Sequence, residues 1–334
     1  MKEKILSVSI ASYNVEAYLE ECLESFVNSK VMDDLEVLVI DDGSSDSSPE
    51  IAQWYVDKFP DTFRLIRKEN GGHGSTINKG IEVASGKYFK VVDGDDWVNT
   101  GNLIRLVEKL KTVDSDIVAT NYTWINCETK LPEKRQEDPF RDLEYGHEYR
   151  FDEIADRTII DMHAMAVKTE LLREMNEKID EHTFYVDVEY ILFPIPYVKT
   201  VLFLEEDVYQ YRLGMPGQSM SIKKMQKNLK NHLKVLFRIN DYCEKMKDKA
   251  TPAQMNYMNR IVAQTLVSQM KIYISFPLDR KMKKNIIKLD SYFYHHNRDA
   301  YDKVANRAVW LLRRTNYRLY PLAVLAFRNR RNSY

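Results

Sequence analysis

The residues of this 334-residue chain with most capacity for chemistry are carboxylates that follow apolar runs. In YFKVVDGDDWV (88–98), Asp93, Asp95 and Asp96 come directly after a strand-like segment, and Gly94 lets the backbone bend sharply between them. Two carboxylates at i and i+2 in a tight turn can hold a hard divalent cation, Mn²⁺ or Mg²⁺, through oxygen, leaving positions open for phosphate oxygens and water. An isolated Asp-x-Asp is usually a solvated turn or a helix cap, so its place after a buried strand is what gives this one weight. A second acidic pair, Asp41 and Asp42, ends LEVLVIDD in the same manner. Either carboxylate can accept hydrogen bonds from a base or ribose, while Ser44, Ser45 and Asp46 are good caps for the helix that follows.

The elements needed to hold these groups are legible. Apolar runs at 5–12, 35–40, 63–67, 88–92 and 116–121 read as strands; between them, helical spacing occupies 16–29, 48–58, 74–84 and 101–111. Strands alternating with helices of this length imply parallel pairing through right-handed crossovers, an α/β, doubly wound sheet. In such sheets ligands sit beyond the carboxyl ends of the strands, where both acidic clusters fall. Residues 122–222 are less regular, with a strand-like piece at 201–213 and a short helix at 152–160; after 222 the chain is helical almost throughout. We expect a catalytic domain over 1–222, with donor binding in 1–121 and the acceptor side in 122–222, and a helical region over 223–334.

Charge divides at the same place. Residues 223–334 hold 25 Lys or Arg against 7 Asp or Glu, a net +18, so residues 1–222, with 24 against 43, carry −19. The acidic part suits a cation bridging an anionic ligand, and the basic part suits phosphate or an anionic surface. Hydrophobic residues at 44% and charged residues at 30% exclude a disordered or fibrous chain. Cys22, Cys127 and Cys243 are widely spaced, which argues against a disulfide framework or a structural zinc. No run resembles a secretory leader or a membrane span of roughly 18 apolar residues, which makes the cytoplasm, with contact at the inner face of the plasma membrane, the expected location.

Four stretches, VSIASYNVEAYLEECLESF, LEVLVIDDGSSDSS, KENGGHGSTINKGIEVASGKYFKVVDGDDWV and YVDVEY, resemble in order and spacing the family 2 glycosyltransferases. The resemblance covers about residues 5–215. It implies a GT-A fold, Rossmann-like with a mostly parallel sheet, and inverting sugar transfer from a nucleotide sugar, a UDP-sugar being the expectation. It further implies that Asp93 and Asp95, with Asp96 sharing the role, ligate the metal on the donor diphosphate. By the same resemblance Asp41 or Asp42 contacts the base, and Ala11, Ser12 and Tyr13 line the base and ribose pocket. The loop frame matches at Asn70, Gly72, Asn78 and Gly80, but Thr76 and Ile77 stand where the family commonly has Ala-Arg, so that arginine contact does not carry over. His73 and Gly74 open a helix whose N-terminal amides favour anions, which puts this loop at the donor.

Inverting transfer needs a carboxylate to take the acceptor's proton. The family's Glu-Asp element reads Val186-Asp187 here, which makes Asp187 the expected base and Glu189 the fallback; the plain alternative for Asp187 is a helix cap. Arg212, and more weakly Gln218 and Ser219, match a segment that reaches the diphosphate. His163 and His182 are open to metal or acceptor roles, although a lone histidine is more often structural. The implied acceptor is a cell-surface polysaccharide, a teichoic-acid-like polymer or a lipid-linked oligosaccharide. The tail, RAVWLLRRTNYRLYPLAVLAFRNRR, mixes apolar residues with seven arginines from 307 to 331. It suits peripheral membrane contact, or packing on the catalytic domain or on a second subunit of a homodimer. No nucleic-acid partner is expected. Two competing readings are a haloacid-dehalogenase-type phosphatase, which also places Asp-x-Asp after a strand, and a catalytically inactive nucleotide-sugar-binding module. A nicotinamide dehydrogenase lacks its Gly-rich turn, since IASYN follows the first strand.

Overall fold

A computed structural model describes residues 3–134, 140, 142–214 and 221–331. The chain divides into two units, Met1–Met215 and Pro216–Tyr334.

The first unit runs β1 (Leu6–Ser12), α1 (Glu16–Glu24), β2 (Leu35–Asp41), α2 (Ser48–Lys58), β3 (Phe63–Arg67), α3 (His73–Val83), β4 (Tyr88–Asp93), β5 (Trp97–Val98) and α4 (Thr100–Leu110). It continues with β6 (Ile117–Asn126), β7 (Pro132–Lys134), β8 (Glu148–Arg150), α5 (Phe151–Ile154), β9 (Met165–Lys168), α6 (Thr169–Glu174), α7 (Asp187–Leu192) and β10 (Thr200–Leu213). One sheet has the order β3-β2-β1-β4-β9-β6-β10-β5. Strands β1 to β4 are parallel, and every residue of β2 is buried because both faces are covered. The reversal of strand order lies at β1 and β4, so Ser12, Asp41 and Asp93 all emerge at one carboxyl edge.

Two features depart from simple alternation. β9 pairs antiparallel with both β4 and β6, separating strands that alternation alone would make neighbours. Its four residues, MAVK, are too few to display a period. β10, the strand-like piece expected at 201–213, is parallel to β6 with register shifts at Leu204/Asp207 and Asp207/Tyr209, bulges that the sequence pattern does not reveal.

The Ser-rich turn after β2 caps α1 as well as its own helix, where Ser48 N donates to Asp46 Oδ1 at 3.0 Å. Asn14 N donates to Ser44 Oγ at 3.0 Å, Val15 N to Ser48 Oγ at 3.0 Å and Glu16 N to Asp46 Oδ2 at 3.0 Å, while Ser47 N donates back to Glu16 Oε2 at 2.9 Å. This lacing satisfies donors that a helix start leaves open and ties the ends of β1 and β2 together.

The second unit is helical: α8 (Ile222–Lys227), α9 (Leu229–Met246), α10 (Pro252–Ser275), α11 (Arg280–His296), α12 (Arg298–Asp302), α13 (Arg307–Arg314) and α14 (Tyr320–Arg331). Its core includes Leu236, Ile239, Tyr257, Leu266, Met270, Ile286 and Phe293. Arg313 grips the carboxylate of Asp290 from Nη2 at 2.7 Å and from Nε at 3.0 Å, and Tyr317 donates to the same carboxylate. That buried pair fixes α13 against α11. No helix among the described residues is long and apolar enough to cross a membrane.

Candidate active site

β4 delivers Asp93 to the sheet edge, and the turn after it is held shut by close backbone contact. Gly94 N donates to Ala11 O at 2.9 Å, and a Cβ at Gly94 would lie 2.8 Å from that carbonyl, so a side chain there would force β1 and β4 apart. Asp96 points inward and is buried. Its Oδ2 accepts from Tyr209 Oη at 2.6 Å and its Oδ1 from Arg212 N at 2.7 Å. Asp96 therefore anchors the end of β10 under the turn. Asp93, Asp96 and His163 each offer a ligand atom, and these atoms lie within 4.8 Å of one another.

His163 reaches this edge through Lys90. The β4–β9 ladder pairs Tyr88 with Lys168 and Phe89 with Val167, then stops. Beyond it, Lys90 Nζ donates to His163 O at 2.6 Å and to Met165 O at 3.4 Å. Lys90 is only 1% exposed, and burial pushes its ammonium down to about 7. The His163 ring then packs edge-on to Tyr209 and Tyr211, with centroids 4.7 and 4.9 Å away.

The two aspartates after β2 part company. Asp42 accepts from Lys68 Nζ at 2.7 Å, Gly71 N at 2.9 Å, Gly72 N at 2.7 Å and Ser75 Oγ at 3.1 Å. With its carboxylate so committed, Asp42 holds the 70–75 loop in place. Asp41 Oδ1 accepts from Ser44 N at 3.2 Å; its buried Oδ2, 3.8 Å from Arg67 Nε, has no hydrogen-bond partner among the described residues, and neither has the hydroxyl of Ser12, its register partner on β1. Buried polar atoms without partners are rare in native proteins and point to a missing ligand or water. Tyr13 is exposed beside them, and Asn70 Nδ2 donates to Asp42 O at 3.0 Å.

The same loop is joined to the segment bearing Asp187. His182 N donates to Gly71 O at 2.5 Å, and a Cβ at Gly74 would fall 2.1 Å from Asp180 O, an approach only glycine permits. Asn78 on α3 clasps Ile179 at both backbone atoms, Oδ1 accepting from its N at 2.9 Å and Nδ2 donating to its O at 2.9 Å. Fully buried Glu189 accepts from Asp180 N at 2.8 Å, so it braces this segment from α7 and is enclosed too completely to meet an acceptor. Asp187 is the first residue of α7 and Val186 stands at the N-cap position. Tyr185, just before it, holds φ at +70°, a costly backbone state that tends to gather at functional sites. His182 is exposed, with φ at +52°.

The charges act on one another. Burial works against a charged His73, but Asp93, Asp187 and Asp95 outweigh it and raise the imidazole above its ordinary value; His73 Nε2 stands 3.1 Å from Asp93 Oδ1. Burial also acts against Asp93, yet His73 and His163 bring it below the usual carboxylate range. Asp95 is pushed up to about 6 by burial and the charge of Asp93, and Asp96 is raised by burial and both neighbours. Burial lowers His163. Asp187 is exposed; the atoms crowded around it raise its carboxyl above the usual range, His73 and His163 offset part of that, and Asp93 adds to it.

Arg212 differs from its expected place at the diphosphate. Only 2% exposed, its Nε donates to Asp95 O at 2.7 Å and its Nη2 to Glu21 Oε2 at 2.8 Å, and the guanidinium lies over the Trp97 and Tyr18 rings at 4.5 and 5.0 Å. It props the acidic turn from beneath, because two aromatic faces and Glu21 enclose it. Gln218 and Ser219 lie outside the described residues. Lys90 and Tyr209 were not singled out from the sequence. A lysine in the apolar strand YFKVV and the Tyr-x-Tyr-Arg end of β10 were the available signals.

The glycosyl transferase family 2 model matches residues 7–176, half of the chain, and the chain belongs to that family of glycosyltransferases. It is 29% identical over 241 residues to the putative glycosyltransferase EpsH of Bacillus subtilis, covering 69% of this chain and 66% of that protein. It is also 29% identical over 240 residues to the minor teichoic acid biosynthesis protein GgaB of the same organism, covering 69% of this chain but 25% of GgaB. The matches therefore span just under two thirds of the first relative and a quarter of the second. The crystal structure of S. aureus TarS 1–349 shares the fold, with a TM-score of 0.63 at 17% identity, over 93% of this chain and 92% of that one. TarS 1–349 has also been solved with UDP, and that structure matches at a TM-score of 0.60. Family membership sets aside the phosphatase reading.

Proposed function

We propose that this chain is a metal-dependent, inverting glycosyltransferase that moves a sugar from a UDP-sugar to a hydroxyl of a cell-surface polysaccharide, a teichoic-acid-like polymer or a lipid-linked acceptor. The observation that carries this reading is the shared electrostatic setting of Asp93 and Asp187, whose charges act on each other and on His73 and His163. A metal-side carboxylate and a base-side carboxylate thus lie within electrostatic reach of one another. The UDP complex of TarS and the teichoic acid name of GgaB support the donor and acceptor classes.

Carboxylate oxygens of Asp93 and Asp96 with the His163 imidazole lie close enough to hold Mn²⁺ or Mg²⁺, Asp95 being the further ligand that the family resemblance implies, and the crowding that raises Asp95 and Asp96 is what a bound cation relieves. When bound, the ion supplies positive charge against the departing diphosphate. Asp41 Oδ2 and Ser12 Oγ, which have no hydrogen bond among the described residues, are the polar atoms for the base and ribose, Tyr13 offers a ring beside them, and the α3 start at His73 and Gly74 offers amides to an anion. Asp42, Asn70 and Gly72 act by shaping that loop. At the sugar, the bond from the anomeric carbon to the diphosphate oxygen breaks as one to the acceptor oxygen forms on the opposite face; the acceptor's proton passes to Asp187 and the nucleoside diphosphate leaves with the electron pair.

A donor screen tests the reading. UDP-sugars, GDP-sugars and phosphomonoesters are each incubated with the full chain and Mn²⁺, with and without a chelator. Chelator-sensitive release of UDP from one UDP-sugar is expected; release of phosphate from monoesters, or turnover of no nucleotide sugar, contradicts it.

A further inference from the structure

Among the described residues, the C-terminal helices carry an exposed apolar and basic face whose chemistry is independent of the transferase reading. α13 buries Val309 and Leu312, and α14 buries Tyr320 and Val324. The opposite stripe of α13 consists of Arg307, Trp310, Leu311 and Arg314 at i, i+3, i+4 and i+7, with Trp310 57% and Leu311 44% exposed. On α14, Leu322 is 59% and Leu325 56% exposed, and Arg318 just ahead of the helix is exposed as well. Arg314 lies 5.3 Å over the Trp310 ring. From Lys303 to Tyr334 there are eight basic residues and no acidic one.

We propose that this face docks on an anionic lipid bilayer, lying in the headgroup region with Trp310, Leu311, Leu322 and Leu325 inserted and the arginines on lipid phosphates. Charge complementarity selects this occupant. A second copy of the same unit would bring +18 against +18, and exposed leucines contribute nothing on a nucleic-acid backbone. A helix with apolar and arginine side chains interleaved on its outward stripe is built for the interface plane, where aliphatic burial and phosphate attraction add. Buried Asp290–Arg313 and Tyr317–Asp290 contacts hold α13 in place so that the stripe is presented without folding on contact.

The test is co-sedimentation of the full chain with phosphatidylcholine vesicles, with and without phosphatidylglycerol. Pelleting is expected only with the anionic vesicles and should fall as salt is raised. Arg314→Glu combined with Arg318→Glu should lower partitioning by at least about tenfold, on the attraction each basic side chain contributes near an anionic surface. Leu322→Ser with Leu325→Ser should lower it several-fold with an unchanged melting temperature, since both side chains are exposed. Trp310 emission, taken as the difference from Trp310→Phe, should shift to the blue on vesicle addition. Equal pelleting with neutral and anionic vesicles, pelleting with neither, or equal pelleting of the variants overturns the proposal. So does a dimer in sedimentation velocity that Leu322→Ser with Leu325→Ser dissolves, or oligonucleotide binding without vesicle binding.

Discussion

Asp187 sits among charges of both signs, and its environment makes a specific statement about pH. Its carboxyl is raised above the ordinary carboxylate value because the atoms crowded around it and Asp93 outweigh the help from His73 and His163. A base works only when deprotonated, so the transfer rate should climb with pH through a midpoint above about 3.9, the value of an unperturbed aspartate. In a pH–rate profile Asp187→Asn should remove that limb and lower kcat by about 100-fold or more, while donor affinity stays the same. Full activity in the variant contradicts the assignment. At this scale the sequence was informative about residue types and less so about their employment. Asp41 and Asp42 are indistinguishable as letters; only the structure shows four donors gathered on Asp42 and an Asp41 Oδ2 without a hydrogen bond among the described residues. Arg212 likewise reads as a phosphate ligand until its enclosure by Trp97, Tyr18 and Glu21 is seen.

Elements set the positions of these groups through two unusual struts. The first is Lys90, whose ammonium closes the gap where β4 and β9 diverge. Its pKa falls from 10.5 unfolded to about 7 folded, so the folded state binds fewer protons between those values. Stability linked to this group is fully present above 10.5 and is lost as pH falls toward about 7. Lys90→Met should therefore gain stability relative to the natural chain as pH drops through that window, by a few kcal/mol at most (about 1.4 per unit). The difference between the two melting temperatures, followed from pH 7 to 10.5, measures it, and a difference independent of pH contradicts the burial account. The second strut is Glu189, which ties α7 to Asp180. Glu189→Gln keeps an acceptor for Asp180 N and should retain activity, whereas Glu189→Ala should cost about 1–3 kcal/mol of stability and lower kcat more than donor affinity. Equal kcat in both variants sinks the positioning role. Strand–helix alternation to residue 121 was legible because each element has a long enough period. β9 was not, since four residues carry no period; β10 was legible as the strand-like run at 201–213, but its parallel pairing with β6 and its two register shifts were not.

At the scale of the molecule, charge is unevenly divided, −19 over residues 1–222 and +18 over residues 223–334. The first gathers carboxylates that repel one another at a sheet edge, an arrangement that makes sense when a cation completes it; the second turns arginine and leucine outward. What composition could not convey is that loop 70–75, the 179–182 segment and α7 form one connected body, so the donor side and Asp187 are positioned together. The central claim is that the acidic turn holds a divalent ion that in turn holds the donor's diphosphate. Calorimetric titration of the full chain with UDP, with and without Mn²⁺, measures this directly. Binding is expected to strengthen by at least about tenfold with Mn²⁺, a coupling of about 1.4 kcal/mol, and to lose that gain in Asp93→Asn. UDP binding of equal strength with and without the metal, unchanged by Asp93→Asn, would contradict the account.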